Sequence, residues 1–151
     1  MAKKKFELPT VQKHDIYIGI DTGVNTGIAV WDAESKKFLH LETVKIHRAM
    51  AIVRHYHQTN GNIHVKVEDA RKRKYFGGYT AKDMASRQQG AGSVKRDASV
   101  WEDYLKDLGC SFEMRTPKDT KITEPMFTKL TGWAKKTSNH ARDAAMMVYN
   151  S

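Results

Sequence analysis

The chain has 151 residues, of which 26 are Lys or Arg and 17 are Asp or Glu, so its formal net charge is +9. This length suits one domain with one hydrophobic core, and a hydrophobic content of 40% is typical of globular proteins. A single cysteine excludes a disulfide framework, and no apolar run is long enough to span a membrane. The basic residues at 1–5 are followed by no apolar stretch, which predicts a cytoplasmic protein without a secretory signal. The charge predicts a polyanionic partner such as nucleic acid.

Hydrophobic patterning predicts a basic tail over 1–14 and a single α/β domain over 15–151. Runs of β-branched residues indicate strands, and apolar residues at steps of three and four indicate helices. The order of these elements predicts a mixed five-stranded sheet flanked by helices. The predicted strands are 16–21, 27–32, 38–46, 63–68 and 111–115, and the predicted helices are 49–56, 80–108, 125–132 and one that begins at 138 or 139.

The long predicted helix carries a narrow apolar seam interrupted by two glycines. Gly90 and Gly92 predict a close backbone approach, because glycine within a helix otherwise only costs stability. This part of the helix is a candidate for crossing its copy in a dimer. The seam consists of Met84, Ala91, Val94, Ala98, Trp101, Leu105 and Leu108.

Three acids stand at the ends or starts of predicted elements. Asp21 ends the first strand, Glu68 ends the fourth, and Asp143 follows His140 by three residues near the start of the last helix. Residues at i and i+3 share a helix face, and strand ends and helix starts converge at one edge of an α/β sheet. We therefore expect these four side chains to meet. Each also has a plain alternative reading, as a turn acid, a solvated acid or a helix-start residue.

A carboxylate cluster in a chain of net charge +9 predicts a bound cation, because like charges raise one another's pKa unless a cation neutralises them. Oxygen ligands suit Mg²⁺, with Mn²⁺ able to substitute. Two such ions about 3.5–4 Å apart activate water and stabilise the leaving oxygen in phosphodiester cleavage. The candidate metal ligands and catalytic residues are Asp21, Glu68, His140 and Asp143.

A basic and aromatic segment follows the fourth predicted strand. Its cations are expected to contact phosphates, and its aromatic rings to stack on an unpaired base. The alternative is a solvated charged loop with one aromatic ring packed underneath. The candidate DNA-binding residues here are Arg71, Lys72, Arg73, Lys74, Tyr75 and Phe76.

Three short motifs resemble those of RuvC-type Holliday junction resolvases. They are IGIDTG at 18–23 with TG at 26–27, VKVE at 65–68, and NHARDA at 139–144. They stand in the order found in that family and span nearly the whole chain. Each motif is short, and their order makes the resemblance fairly specific.

The resemblance implies a ribonuclease H-like fold, a homodimer, and cleavage of branched DNA by divalent metal ions. Asp21, Glu68 and Asp143 would then be the metal-binding carboxylates. His140 matches a position that holds an acid or a histidine in the family, and would bind metal or position the attacking water. Lys118 and Lys121 lie where the family has lysines near its site, so either would offset transition-state charge or be a plain surface residue.

The sequence also departs from the family pattern. Thr22 stands where the family often has proline, and the basic stretch after Glu68 has no close match in the bacterial enzymes. These departures indicate a divergent branch, such as a phage-encoded enzyme that acts in the host cytoplasm. The alternatives are another ribonuclease H-like nuclease acting on flaps, forks or RNA–DNA hybrids, and a non-catalytic nucleic-acid-binding module. An actin- or hexokinase-type ATPase needs two such lobes, for which the chain is too short.

Overall fold

A computed structural model of the chain describes residues 13–73, 81–118 and 121–151, and the side chains of 81–91 are outside that description. Most of the predicted basic tail therefore lies outside the described residues. So do three of the candidate DNA-binding residues, Lys74, Tyr75 and Phe76.

Five strands form one mixed sheet in the order β3-β2-β1-β4-β5. The first three strands are antiparallel neighbours, whereas β1, β4 and β5 run parallel. This sheet with helices on both faces confirms the predicted α/β architecture. The strands are β1 (Ile16–Asp21), β2 (Asn25–Asp32), β3 (Lys37–Lys45), β4 (Ile63–Glu68) and β5 (Ser111–Arg115).

The described residues form four α-helices and one short 3₁₀ turn at Ala70–Lys72. Local signals in the sequence explain where several of these helices begin or end. Gly109 and Gly132, at φ of +76° and +75°, follow the second and third helices, as left-handed glycines commonly do. The hydroxyl of Ser138 accepts a hydrogen bond from the amide of Ala141 and caps the last helix. The helices are α1 (Ile46–Thr59), α2 (Ala81–Leu108), α3 (Glu124–Thr131) and α4 (Asn139–Val148).

Each face of the sheet has its own hydrophobic cluster. On one face α1 and α2 cover the isoleucines and valines of β1 and β4, and the buried Trp101 and Leu105 confirm part of the predicted α2 seam. On the other face α3 and α4 cover the middle of β2 with Phe127 and a stripe of alanines. The alanine stripe consists of Ala141, Ala144 and Ala145, which are all buried.

Helix α4 lies directly on the backbone of the β1–β2 hairpin. A Cβ atom on Gly19 would stand 2.1 Å from the carbonyl oxygen of Ala144, and one on Gly27 would stand 2.0 Å from that of His140. These distances leave no room for any side chain, so both positions require glycine. The contact brings the first turns of α4 to the sheet edge where β1 ends.

The close backbone approach predicted at Gly92 is absent within the described part of the chain. No heavy atom of that part, apart from neighbouring helix backbone, lies within 4 Å of a Cβ built on Gly92. The side of Gly92 that would accept a side chain is open. Gly90 belongs to the segment whose side chains are outside the description.

Among the described residues, every helix is too short or too polar to cross a lipid bilayer.

We expect Gly19→Ala to lower the free energy of unfolding by about 3 kcal/mol, because the new methyl group overlaps the α4 backbone. Gly92→Ala is the matched control, and it should raise the free energy by about 0.5–1 kcal/mol because alanine favours a helix. Urea unfolding of both variants measures the difference. An equal effect of the two substitutions would contradict the close contact.

Candidate active site

The parallel strands β1 and β4 end side by side and bring two acids to one edge of the sheet. Their register pairs Ile20 with Val67, so the next residues, Asp21 and Glu68, leave the same edge. Because strand side chains alternate, both acids point to the face covered by α4. The hydroxyl of Thr22 donates a hydrogen bond to the carbonyl oxygen of Glu68 at 3.1 Å and ties the two strand ends together.

Helix α4 brings the other two predicted residues to this edge. The Nδ1 atom of His140 lies 2.8 Å from a carboxylate oxygen of Asp21, which is only 6% exposed. Asp143 lies one helical turn further, and both its charge and that of Asp21 act on Glu68. The four residues expected to meet therefore lie together in the structure.

Each of the three carboxylates has a basic side chain beside it. Asp21 pairs with His140, and Asp143 pairs with the ammonium of Lys121. Glu68 has the guanidinium of Arg73 at 3.9 Å. Within the described ranges, no group of three or more His, Cys, Asp or Glu side chains is arranged to hold a metal ion.

Burial and neighbouring carboxylates raise the pKa values of Glu68 and Asp21. Burial raises the pKa of Glu68 to about 7, and the charges of Asp21 and Asp143 add to this effect against Lys121 and Arg73. Burial also raises the pKa of Asp21, although its hydrogen bond with His140 opposes the shift. Glu68 is therefore able to take up and release a proton near neutral pH.

The negative charges of the same carboxylates also act on the pKa of Lys121. Burial lowers its pKa, but the hydrogen bond to Asp143 and the charges of all three carboxylates outweigh burial, so the pKa is raised. Its ammonium therefore stays charged among the acids. The charges of Lys121 and Arg73 lower the pKa of Glu68 but do not cancel the effect of its burial.

A pocket of about 330 Å³ opens beside these residues. Glu68 and Asp143 line it together with Lys118 and Lys121, the two lysines singled out by the sequence. A pair of carboxylates beside the Lys121 ammonium is able to hold a cation on one side and an anionic oxygen on the other.

The basic segment after β4 is partly tied to the protein itself. The guanidinium of Arg71 donates two hydrogen bonds of 2.8 Å to the carboxylate of Asp69, and a third of 3.3 Å to that of Glu102. The ammonium of Lys72 donates to the carbonyl oxygen of Met114 at 2.7 Å. Asp69 is 1% exposed, so this acid has a structural role and is not solvated.

Sequence reasoning missed Arg142, a buried arginine that braces the site. Its guanidinium donates to the carbonyl oxygen of Ile122 at 3.1 Å and to that of Thr137 at 2.7 Å. These bonds fasten the segment that carries Lys121 to the start of α4, which keeps Lys121 beside Asp143. An arginine inside the alanine stripe, between His140 and Asp143, is the signal that would have indicated this role.

In comparisons with known proteins, no protein-family model matches the chain, and no curated protein matches it. The resemblance to junction resolvases therefore depends on the three short motifs and stays a prediction.

The pKa of Glu68 predicts a specific dependence of stability on pH. Because about 7 in the folded chain exceeds the usual 4.5, the carboxyl stabilises the fold most below pH 4.5, and this contribution is lost as the pH rises to about 7. Glutamine does not ionise, so Glu68→Gln should not lose stability as the pH rises through this range. Above pH 7 the variant should therefore have a free energy of unfolding higher than that of the parent by up to about 3 kcal/mol.

Urea unfolding in EDTA from about pH 4 to about pH 9 measures the two stability profiles. The profiles should diverge between about pH 4.5 and pH 7 and run parallel above that range. Profiles that stay parallel throughout would contradict the raised pKa of Glu68.

Proposed function

We propose that the chain is a divalent-metal-dependent endonuclease of ribonuclease H-like fold that resolves four-way (Holliday) DNA junctions by paired, symmetric nicks. The meeting of Asp21, Glu68, His140 and Asp143 at one sheet edge is the observation that carries this proposal. These four residues stand within the three sequence motifs that resemble those of junction resolvases, and this resemblance supports a four-way junction as the substrate.

The donor set fits a hard divalent cation. Carboxylate oxygens are the ligands that Mg²⁺ and Mn²⁺ prefer, and the charges of Asp21 and Asp143 add to burial in raising the pKa of Glu68 to about 7. Asp21, Glu68, Asp143 and His140 would hold the cation. When bound, one or two such ions supply an activated water and stabilise the leaving oxygen.

The chain's own residues supply the remaining steps. Asp21 fixes the ring of His140 at 2.8 Å and thereby orients it towards the edge of the site. Glu68 has a pKa of about 7 in the chain without metal, so near neutral pH it would release its proton as the cation binds. Lys121 lines the pocket beside Asp143, so its ammonium neutralises an oxygen of the phosphate that enters.

The charge of the chain supports a nucleic-acid substrate. A formal net charge of +9 attracts the phosphate backbone, although three acids meet at this edge. A purely binding module would gain nothing from these acids, because their negative charge opposes DNA. A four-way junction has approximate two-fold symmetry, so two symmetric nicks call for a C₂ homodimer with two sites.

The test is cleavage of a synthetic four-way junction, compared with flap, duplex and RNA–DNA hybrid controls, in Mg²⁺ or in EDTA. Asp21→Asn should reduce nicking by at least about 1000-fold while junction binding persists, because the variant lacks one of the proposed carboxylate ligands of the metal ion. Asp32→Asn is the control, since Asp32 ends β2 at the other edge and accepts hydrogen bonds within its own turn.

Normal nicking by Asp21→Asn would refute the site. Preference for hybrid or flap substrates over the junction would refute the resolvase assignment and favour another nuclease of the same fold.

Lys121 competes with any cation for Asp143. We expect Lys121→Met to bind Mn²⁺ about fivefold more tightly, because a half-exposed ion pair of this kind contributes up to about 1 kcal/mol. Lys118→Met is the matched control, since Lys118 lines the same pocket and should leave the affinity unchanged. Calorimetry without DNA measures both, and weaker binding by Lys121→Met would show that the lysine does not oppose the metal.

A further inference from the structure

A second cavity lies on the opposite face of the sheet, between the edge strand β3 and helix α1. This groove has a volume of about 490 Å³, which is within the range of small-ligand sites. Val44, Ile52 and the half-buried Tyr56 form its apolar part, and Arg48 and His55 are exposed at its rim. None of these residues belongs to the candidate active site.

One face of α1 forms the helical wall of the groove. Arg48, Ile52 and His55 stand at i, i+4 and i+7, so they lie in one row along the helix. Arg54 stands six residues after Arg48, which places it on a different face. The groove therefore combines an apolar floor, one aromatic ring and a basic rim.

The surroundings of the groove favour an anionic ligand. Residues 43–62 contain three Lys or Arg, three His and no acid. The acid that lines the groove, Glu42, contacts the ring of His40. Among the described side chains, none forms an ion pair with Arg48 or His55.

Strand β3, which forms one wall of the groove, ends at the same sheet edge as the carboxylates. Lys45, at the end of β3, donates a hydrogen bond of 3.0 Å to the side chain of Asn25 at the start of β2. Nearby on these strands, Thr43 pairs with Gly27, and Gly27 pairs with Asp21. The end of β3 is thus two strand spacings, about 10 Å, from the end of β1.

We propose that this groove binds an unpaired nucleic-acid strand, with one phosphate against Arg48, a base against Tyr56 and Ile52, and the strand continuing towards His55 two helical turns away. A duplex presents its phosphates outward and keeps its bases stacked inside, so they cannot pack on the apolar residues of the groove. Single strands, in contrast, bind through a row of basic residues and an aromatic ring on which a base stacks. The proposal rests on the proposed nucleic-acid substrate and extends it by a separate surface for a strand that is unpaired at the branch point of the junction.

The test compares Arg48→Gln with Arg54→Gln, which remove the same charge from exposed positions of the same helix. Binding of a fluorescein-labelled oligothymidine strand is followed by anisotropy in EDTA over a range of salt concentrations. Arg48→Gln should weaken binding about fivefold and reduce the salt slope by about 0.7, the value for one phosphate contact on a single strand. Arg54→Gln should change neither, and matching circular dichroism spectra confirm that both variants are folded.

Equal losses in the two variants would mean that only net charge matters and would overturn the proposal, as would unchanged binding by Arg48→Gln. Cleavage assays separate this result from the proposed function. If only Arg48→Gln weakens binding but the parent chain nicks no DNA, the groove proposal holds and the proposed nuclease function is refuted. If the parent chain nicks junctions but Arg48→Gln and Arg54→Gln bind alike, the nuclease function holds and the groove proposal is refuted.

Discussion

Helix α4 rests on bare backbone, because glycine stands at both hairpin positions that face it. Gly19 and Gly27 leave gaps that the carbonyl oxygens of Ala144 and His140 fill. The helix is therefore pulled close to the sheet, and its first turns reach the end of β1. Without this contact His140 would not reach Asp21, and Asp143 would stand away from Glu68.

The second constraint is electrostatic. Three acids at one sheet edge repel one another, and each has a basic side chain beside it. His140 lies beside Asp21, Arg73 beside Glu68, and Lys121 beside Asp143. Among the described residues, no group of three or more candidate ligands is arranged to hold a metal ion. Burial, together with the charges of Asp21 and Asp143, still raises the pKa of Glu68 to about 7. A divalent cation bound at this edge, as proposed, would hold Glu68 as a carboxylate and free Lys121 for a phosphate.

Much of this architecture was predictable from the sequence, because its signals are local. The β-branched runs give the strands, and glycines at 109 and 132 end two helices where expected. The meeting of Asp21, Glu68, His140 and Asp143 followed from topology, since strand ends and helix starts share an edge. The resemblance to resolvases supplied the further expectations of function, which the fold alone leaves open.

The partners of the side chains were not predictable, because they depend on segments distant in sequence. Arg71 was expected to bind phosphate, but its guanidinium is held by Asp69 and Glu102. Lys121 meets Asp143, 22 residues away, and Arg142 fastens the neighbouring Ile122 to α4. Gly92, expected to mark a close contact, faces open space within the described part of the chain. Periodicity records which residues are buried, and it carries no information on which polar groups meet.

The most direct measurement is the response of backbone amide NMR signals to substoichiometric Mn²⁺, since a bound paramagnetic ion broadens nearby signals. If the acidic edge is a divalent-metal site, the signals of Asp21, Glu68 and Asp143 should broaden first and recover on addition of excess Mg²⁺. The signal of Asp32, at the far end of β2, should stay sharp. Uniform broadening, or none at the acidic edge, would contradict the account.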